Sequence, residues 1–221
     1  MFDSDSVWKR TEATAPILSL RVYNTVIGVT LLWGFALNYV TIQSIPVENI
    51  LAIPQWGLLI GYMVSCFIGI SLYRGSDNPA VSFLGYNFIV LPMGLVLSPI
   101  LYQYDSDLIS QAMVLTSVFT GSMMGLSVLY PKFFLSLGRT LFFSLLFVII
   151  LEIGLALFFG VNPSIFDWIV ALIFCGYIGY DWARANAIPR TLDNAIDSAA
   201  SLYIDIINLF IRILRILGRR K

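Results

Sequence analysis

The chain has 221 residues, of which 58% are hydrophobic and only 12% are charged, and its mean hydropathy is +0.85. A soluble domain of this length does not bury so large an apolar share, so the composition predicts an all-α polytopic membrane protein embedded in a lipid bilayer. The formal net charge of zero gives no reason to expect binding to nucleic acid. Because the chain has no histidine, any pH sensing near neutrality has to come from carboxyl groups, and we expect no bound cofactor.

In chain order, seven apolar segments predict seven transmembrane helices that form a single domain over residues 1–221. The predicted spans are residues 22–41, 51–73, 79–102, 108–130, 139–159 and 163–182, followed by a final helix from Asp197. A polar segment at 1–20 precedes them and a basic tail at 218–221 follows. Two GxxxG pairs, Gly57 with Gly61 and Gly121 with Gly125, predict close helix packing.

The basic residues predict the orientation of the chain in the membrane. One set of connections holds Lys9, Arg10, Arg21, Arg74, Lys132, Arg139, Arg184 and Arg190, whereas the alternate loops hold Glu48, Asp105 and Asp107. The positive-inside rule therefore predicts a cytoplasmic N-terminus. We expect a bacterial inner (plasma) membrane, with the endoplasmic reticulum membrane as the alternative. Seven full crossings leave the basic tail on the far side, which the same rule disfavours.

The final helix carries a polar stripe on an otherwise apolar surface. Residues at helical spacings of three and four form this stripe, and they are Asp197, Ser201, Asp205, Asn208, Arg212, Arg215 and Arg219. Such a pattern predicts a helix inside a membrane bundle, with its stripe turned towards protein or water. A carboxylate such as Asp205 costs roughly 3 kcal/mol in mid-membrane, so it requires a compensating partner.

Two further acids lie in or at the end of apolar spans. Asp181, in YIGYDWARAN, ends the predicted sixth span, and Glu152 lies within the fifth among isoleucines and leucines. Glu152 predicts a buried partner, a water path, or a protonated acid bonded to a neighbouring helix. Two carboxyl groups that meet in a low dielectric share a proton and titrate as a coupled pair, which makes a pH switch without histidine. Alternatively, Asp205 with Arg212, or Asp197 with Ser201, merely satisfy each other along the helix.

At the level of whole motifs, the chain resembles the Bax-inhibitor (transmembrane Bax-inhibitor-motif) family. The segment SLYIDIINLFIRILRILG, with the Tyr-Asp pair that precedes it in YIGYDW, resembles the signature of that family. The Asp-Asn-Pro turn before the third span, the Ser-Pro-Ile at 98–100 and the turn from Lys132 to Gly138 also look similar. The resemblance covers nearly the whole chain, but only the last forty residues or so are specific.

This resemblance implies seven helices, with a central C-terminal helix between two three-helix layers. It also implies a pH-sensitive calcium leak gated by an aspartate pair, which Asp181 and Asp205 match and which is a possible Ca²⁺ ligand pair. Arg74 matches the arginine that pairs with these acids. The acid that relatives carry early in the second span is missing, with Gln55 there instead, and Phe133 replaces a turn acid. Both departures put calcium binding in question more than pH sensing.

Three functions from different classes compete at this point. The first is a pH-gated calcium leak channel or Ca²⁺/H⁺ exchanger that moves calcium ions and protons, with Glu152, Asn208 and Asp197 as candidates along the ion path. The second is a non-transporting regulator that binds membrane partners such as proteases or cell-death proteins. The third, an intramembrane aspartyl protease, is disfavoured because the second acid lies in YIDI rather than in a GxGD motif. The sequence therefore predicts a protein that is not an enzyme.

Overall fold

The computed structural model describes residues 15–161 and 163–219. Within these ranges the chain forms nine α-helices. They are α1 (Leu20–Ser44), α2 (Val47–Leu51), α3 (Gln55–Gly75), α4 (Pro79–Leu101), α5 (Ser106–Leu129), α6 (Pro131–Ser136), α7 (Gly138–Phe159), α8 (Ile165–Ala187) and α9 (Leu192–Gly218). Most of the predicted N-terminal segment, with Lys9 and Arg10, lies outside the described residues. The last two residues of the predicted tail, Arg220 and Lys221, lie outside them as well.

Six of the helices that the structure describes are long and apolar enough to cross a membrane, namely α1, α3, α4, α5, α7 and α8. Their surfaces support that assignment. On α7 only Leu141 and Val148 are buried, while large apolar side chains such as Phe158 are exposed. An exposed apolar surface of this extent is stable in lipid rather than in water. The chain is therefore a multi-pass membrane protein.

Six of the seven predicted spans correspond to helices in the described residues that could cross a membrane. The remaining long helix, α9, has 27 residues but carries five charged side chains, and it does not qualify as a span by composition. It also begins at Leu192, five residues before the predicted start at Asp197. Thr191 accounts for the earlier start, because its hydroxyl accepts a hydrogen bond from the backbone N–H of Asn194 at 3.1 Å.

Two connections that were predicted as simple turns or as parts of spans contain short helices. The predicted second span at 51–73 is not one continuous helix. Leu51 is the last residue of α2, and Pro54 precedes the start of α3 at Gln55. The basic connection after α5 contains α6, which starts at Pro131. Proline supplies no N–H and fixes its own φ, so it suits the first turn of a helix but not the interior. The α7 helix ends where Gly160 adopts a left-handed φ of 64°, which a residue with a side chain seldom adopts.

The described residues divide into two compact units, and the predicted single domain over 1–221 stays a prediction. The first unit runs to Gln103 and includes Ala185–Tyr203, so it holds α1 to α4 and the first part of α9. Within it α3 and α4 touch closely, because a methyl group added at Gly85 would lie 2.6 Å from the carbonyl oxygen of Gly69. The first part of α9 is fixed by polar contacts, including a 2.6 Å hydrogen bond from the Ser82 hydroxyl to Asp193.

The second unit comprises Tyr104–Arg184 and the chain from Ile204 onward. It contains α5, α6, α7, nearly all of α8 and the last part of α9. Here Gly138 lies against the ring of Tyr180, and Gly176 lies against Leu141, where an added methyl group would approach a side-chain atom to 2.7 Å. Small residues at these positions let α7 and α8 pack closely.

The GxxxG pairs did not identify these contacts. An added methyl group at Gly61, Gly121 or Gly125 would meet no atom of the described chain within 4 Å, so these glycines do not pack as predicted. The glycines that do pack closely, namely Gly69, Gly85, Gly138 and Gly176, do not belong to the two predicted GxxxG pairs.

Candidate functional site

Two buried carboxyl groups meet in the second unit. Asp181 lies on α8 and Asp205 on α9, and they are only 7% and 6% exposed. Their carboxyl groups are close enough for a side-chain hydrogen bond to each other. The Oδ2 atom of Asp205 has no hydrogen-bond donor among the described residues. Two ionised carboxylates only accept hydrogen bonds, so this arrangement is satisfied when one of the two carries a proton.

One cation lies beside this acid pair. The Nη2 atom of Arg184 is 3.1 Å from Oδ1 of Asp181, and both side chains are largely buried. The guanidinium also lies over the ring of Tyr180, 5.3 Å from its centroid, which adds a cation–π contact that holds it in place. Asp181 and Arg184 are three residues apart on α8, so the helix itself brings them together. The sequence treated Arg184 only as one of the basic residues that set the orientation. Its spacing from Asp181 was the signal that could have identified it.

The structure describes the other predicted site residues separately. Arg74 is exposed in the last turn of α3 and belongs to the first unit, so its pairing with the acids stays a prediction. Asp197 is buried on the first part of α9, also in the first unit. Asn208 lies three residues beyond Asp205, and its amide donates a 2.8 Å hydrogen bond to the carbonyl oxygen of Ile204. Their assignment to an ion path likewise stays a prediction.

A second charged cluster in the same unit surrounds Arg212. Its guanidinium makes two contacts with the carboxylate of Glu152, at 3.0 and 3.1 Å, and one of 2.8 Å with Oδ1 of Asp167. Arg219 lies 3.3 Å from Oδ2 of Asp167, and Arg215 lies 4.0 Å from its Oδ1. Glu152 therefore has a partly buried partner in Arg212, which is close to one of the sequence alternatives. Arg212 pairs with Glu152 and Asp167, not with Asp205, which contradicts the alternative in which Asp205 and Arg212 satisfy each other.

Asp167 was not singled out from the sequence, although it is almost fully buried and contacts three arginines. It lies in the first turn of α8, where an acid reads as a helix-start residue. The three arginines lie on the predicted stripe of α9, at 212, 215 and 219. Their spacing showed that they share one face, but it did not show which acids face them.

As a cation site, the acid pair is incomplete. Within the part of the chain that the structure describes, no three Asp, Glu, Cys or His side chains gather into a metal site. Calcium takes about six to eight oxygen ligands, so two carboxyl groups need water and carbonyl oxygens to complete a shell. Arg184 already lies where it attracts the carboxylate of Asp181, so an incoming cation competes with a guanidinium. The geometry suits proton sharing between the two carboxyl groups, whereas a calcium site needs further ligands.

These features define a helical multi-pass membrane protein with a buried acid pair contacted by one arginine. The family described as "Inhibitor of apoptosis-promoting Bax1" matches residues 17–221, and the chain therefore belongs to the Bax-inhibitor family.

Relatives from plants, bacteria and animals are similar over different lengths. A "BI1-like protein" of Arabidopsis thaliana is 37% identical over 120 residues, which is 51% of this chain and 46% of that protein. "Protein LIFEGUARD 3" of the same plant is 32% identical over 158 residues, 66% of this chain and 60% of the relative. "Protein lifeguard 4" of Mus musculus is 28% identical over 206 residues, covering 91% and 81%. The match thus spans only about half to three-fifths of the first two relatives.

Proposed function

We propose that this protein is a pH-gated calcium leak in which Asp181 and Asp205 form the gate, and that it has no enzymatic activity. The observation that carries the proposal is the contact between two buried carboxyl groups beside Arg184, in a chain without histidine. Membership of the Bax-inhibitor family, for which the sequence resemblance implied such a leak, supports it. We further propose that the protein lies in the plasma (inner) membrane with its N-terminus in the cytoplasm.

The charge states of the three groups explain how a proton can act as a switch. With one shared proton, the pair carries one negative charge, and Arg184 brings the sum to zero. Losing that proton leaves a net charge of −1 in a buried site, and gaining a second leaves Arg184 without a carboxylate. Because uncompensated charge is costly at low dielectric, each of these changes favours a rearrangement of α8 against α9.

Calcium enters this scheme as the transported ion. The fully ionised pair offers hard oxygen ligands and an excess negative charge, which attract a divalent cation. The guanidinium of Arg184 has to leave Asp181 before both oxygens are available, so binding remains weak enough for the ion to pass. A conducting site needs such a balance between entry and release.

The test is calcium flux from purified protein in liposomes, measured across a range of pH. Asp181→Asn and Asp205→Asn are each expected to flatten the pH dependence, because an amide does not titrate. The double variant is expected to behave like either single variant, since the two residues act as one unit. Asp107→Asn, on an exposed acid in the first turn of α5, is the matched control and should keep the wild-type profile.

The second candidate function is a non-transporting regulator, because the family's description names inhibition of an apoptosis-promoting protein. A regulator leaves calcium-loaded liposomes tight at every pH. If wild-type protein gives no flux above empty liposomes, the leak is wrong and the regulator replaces it. If both aspartate variants conduct with the wild-type pH profile, the aspartate pair is not the gate.

A further inference from the structure

The arginine cluster on the last part of α9 carries more positive charge than its acids neutralise. Three arginines, at 212, 215 and 219, lie around two acids, Glu152 and Asp167, which leaves a net charge of +1. Arg212 is fully engaged, with three contacts of 3.1 Å or less to the two acids. Arg212 thus pairs with the carboxylate of Glu152 and with one oxygen of Asp167, and the excess positive charge lies on Arg215 and Arg219.

These two arginines retain unused hydrogen-bond donors. Their side chains are 41% and 42% exposed, against 16% for Arg212. Arg215 approaches Asp167 only to 4.0 Å, which is beyond hydrogen-bond distance, and Arg219 makes one contact of 3.3 Å. A guanidinium has about five N–H donors in a planar fork, so most of the donors on both residues remain available to a ligand.

A cavity adjoins the guanidinium of Arg219. It has a volume of about 250 Å³ and is lined by Ser164, Asp167, Trp168, Ile216 and Arg219. Ser164 directly precedes α8, which is a candidate membrane span, and Trp168 lies in its first turn. Ile216 lies near the end of α9, and Arg219 directly follows that helix. Trp168 is exposed there. A tryptophan at the end of a span is typical of the headgroup level of a bilayer, so the cavity lies where phosphate groups are abundant.

We propose that this cavity binds a phosphate group held by Arg219, which lines the cavity, with Arg215 beside Asp167 as a second cation four residues earlier. Paired N–H donors match two phosphate oxygens, and a phosphodiester with one negative charge neutralises the surplus of +1. The hydroxyl of Ser164 supplies a further donor at the rim. Asp167 also lines the cavity, but its charge is offset by Arg212, and its carboxylate positions the other two arginines. The phosphate comes from an anionic lipid headgroup or from free phosphate, which present the same chemistry.

The test compares three probes on the full-length protein in a neutral detergent. Native mass spectrometry measures binding of phosphatidylglycerol, of zwitterionic phosphatidylcholine and of inorganic phosphate. Both lipids carry a phosphodiester, but the choline of phosphatidylcholine adds a positive charge beside the arginines. We therefore expect the wild type to bind phosphatidylglycerol at least tenfold more tightly than phosphatidylcholine. Arg215→Gln combined with Arg219→Gln should remove that preference. Lys132→Gln combined with Arg139→Gln, on basic residues at α6 and α7, is the matched control and should retain it.

Each outcome decides the proposal. A preference that the first double variant loses and the control retains supports a lipid headgroup. Binding of inorganic phosphate that the same variant loses, without a lipid preference, supports free phosphate. If the double variant binds all three probes as the wild type does, the proposal is wrong. Thermal unfolding checks that each variant is folded. The double variant Arg215→Lys with Arg219→Lys keeps both charges, so it should bind the probes more weakly than the wild type but more tightly than the double glutamine variant. None of these measurements depends on calcium flux.

Discussion

Arg184 and Arg74 compete for the role of counter-charge to the acid pair, and the pH response of calcium flux distinguishes them. The resemblance to the family implied Arg74, which stays a prediction, and the structure has Arg184 at 3.1 Å from Asp181. Arg184→Gln removes the positive charge and keeps a side chain of similar reach. A nearby cation favours the ionised form of an acid, so its loss makes the pair hold its proton more tightly. We therefore expect the midpoint of the pH response to move to higher pH.

The size of that shift follows from the contact distance. Two unit charges 3.1 Å apart attract by about 5 kcal/mol at an effective dielectric constant of about 20. That figure is an upper bound, because the guanidinium is partly accessible to water and the glutamine amide replaces one hydrogen bond. An opposite charge at this range typically shifts the titration of an acid by about 1–3 pH units. We expect about 1–2 units for Arg184→Gln, because the pair shares its proton between two groups.

The assay is dye-reported calcium efflux from liposomes, with Arg74→Gln as the matched control. The midpoint of the control should stay at the wild-type value if Arg184 alone supplies the counter-charge. Arg184→Lys should bring the midpoint most of the way back to the wild-type value, because lysine restores the positive charge without the planar fork of the guanidinium. A midpoint that moves in Arg74→Gln and stays in Arg184→Gln refutes this reasoning and restores the arginine that the sequence predicted.

Three further predictions follow from the packing and the second cluster. Arg212→Gln should lower the free energy of unfolding by about 3 kcal/mol, because it leaves a buried carboxylate without its partner. Glu152→Gln should lower it by less, because Arg212 still pairs with Asp167. Equal losses in detergent unfolding would contradict this. Gly85→Ala should cost about 1–3 kcal/mol through overpacking against Gly69, whereas Gly61→Ala should be nearly neutral, and thermal unfolding compares the two. Glu152→Gln should change the amplitude of calcium flux and move its midpoint by no more than about 1 unit, the effect of one charge at the distance of this cluster, and a larger shift would make Glu152 part of the pH sensor.

The spans and the acid on the final helix could be predicted because each depends on local chemistry. An apolar run of about 20 residues has few stable alternatives to a membrane helix, so six spans were located to within a few residues. Asp205 could be recognised because a carboxylate among isoleucines and leucines needs a partner wherever the chain folds. That Asp181 contacts it was expected from the resemblance to a family, and the chain pattern alone left other partners open.

The arginine contacts could not be predicted because they depend on which helix faces which. Arg184 was interpreted through the positive-inside rule, which counts charges at span ends and ignores their pairing. Asp167 and Arg212 are 45 residues apart, and no spacing rule joins residues on two different helices. The GxxxG pairs failed for the same reason. A glycine face predicts close packing only where another helix lies against it, and Gly121 and Gly125 face no atom of the described chain.

Both charged clusters include residues from the last part of α9, and their charges are opposite. Asp181, Asp205 and Arg184 sum to −1 when both acids are ionised, and the cluster around Arg212 sums to +1. Asp205 and Arg212 are seven residues apart, or about 10 Å along a helix at about 1.5 Å per residue. At an effective dielectric constant of about 20, unit charges at that distance attract by roughly 1.7 kcal/mol. Arg212→Gln should therefore raise the midpoint of the pH response by about 1 unit or less, a smaller shift than Arg184→Gln causes. Equal shifts in the two variants would mean that distance from the acid pair does not set the effect, and the electrostatic account of the gate would fail.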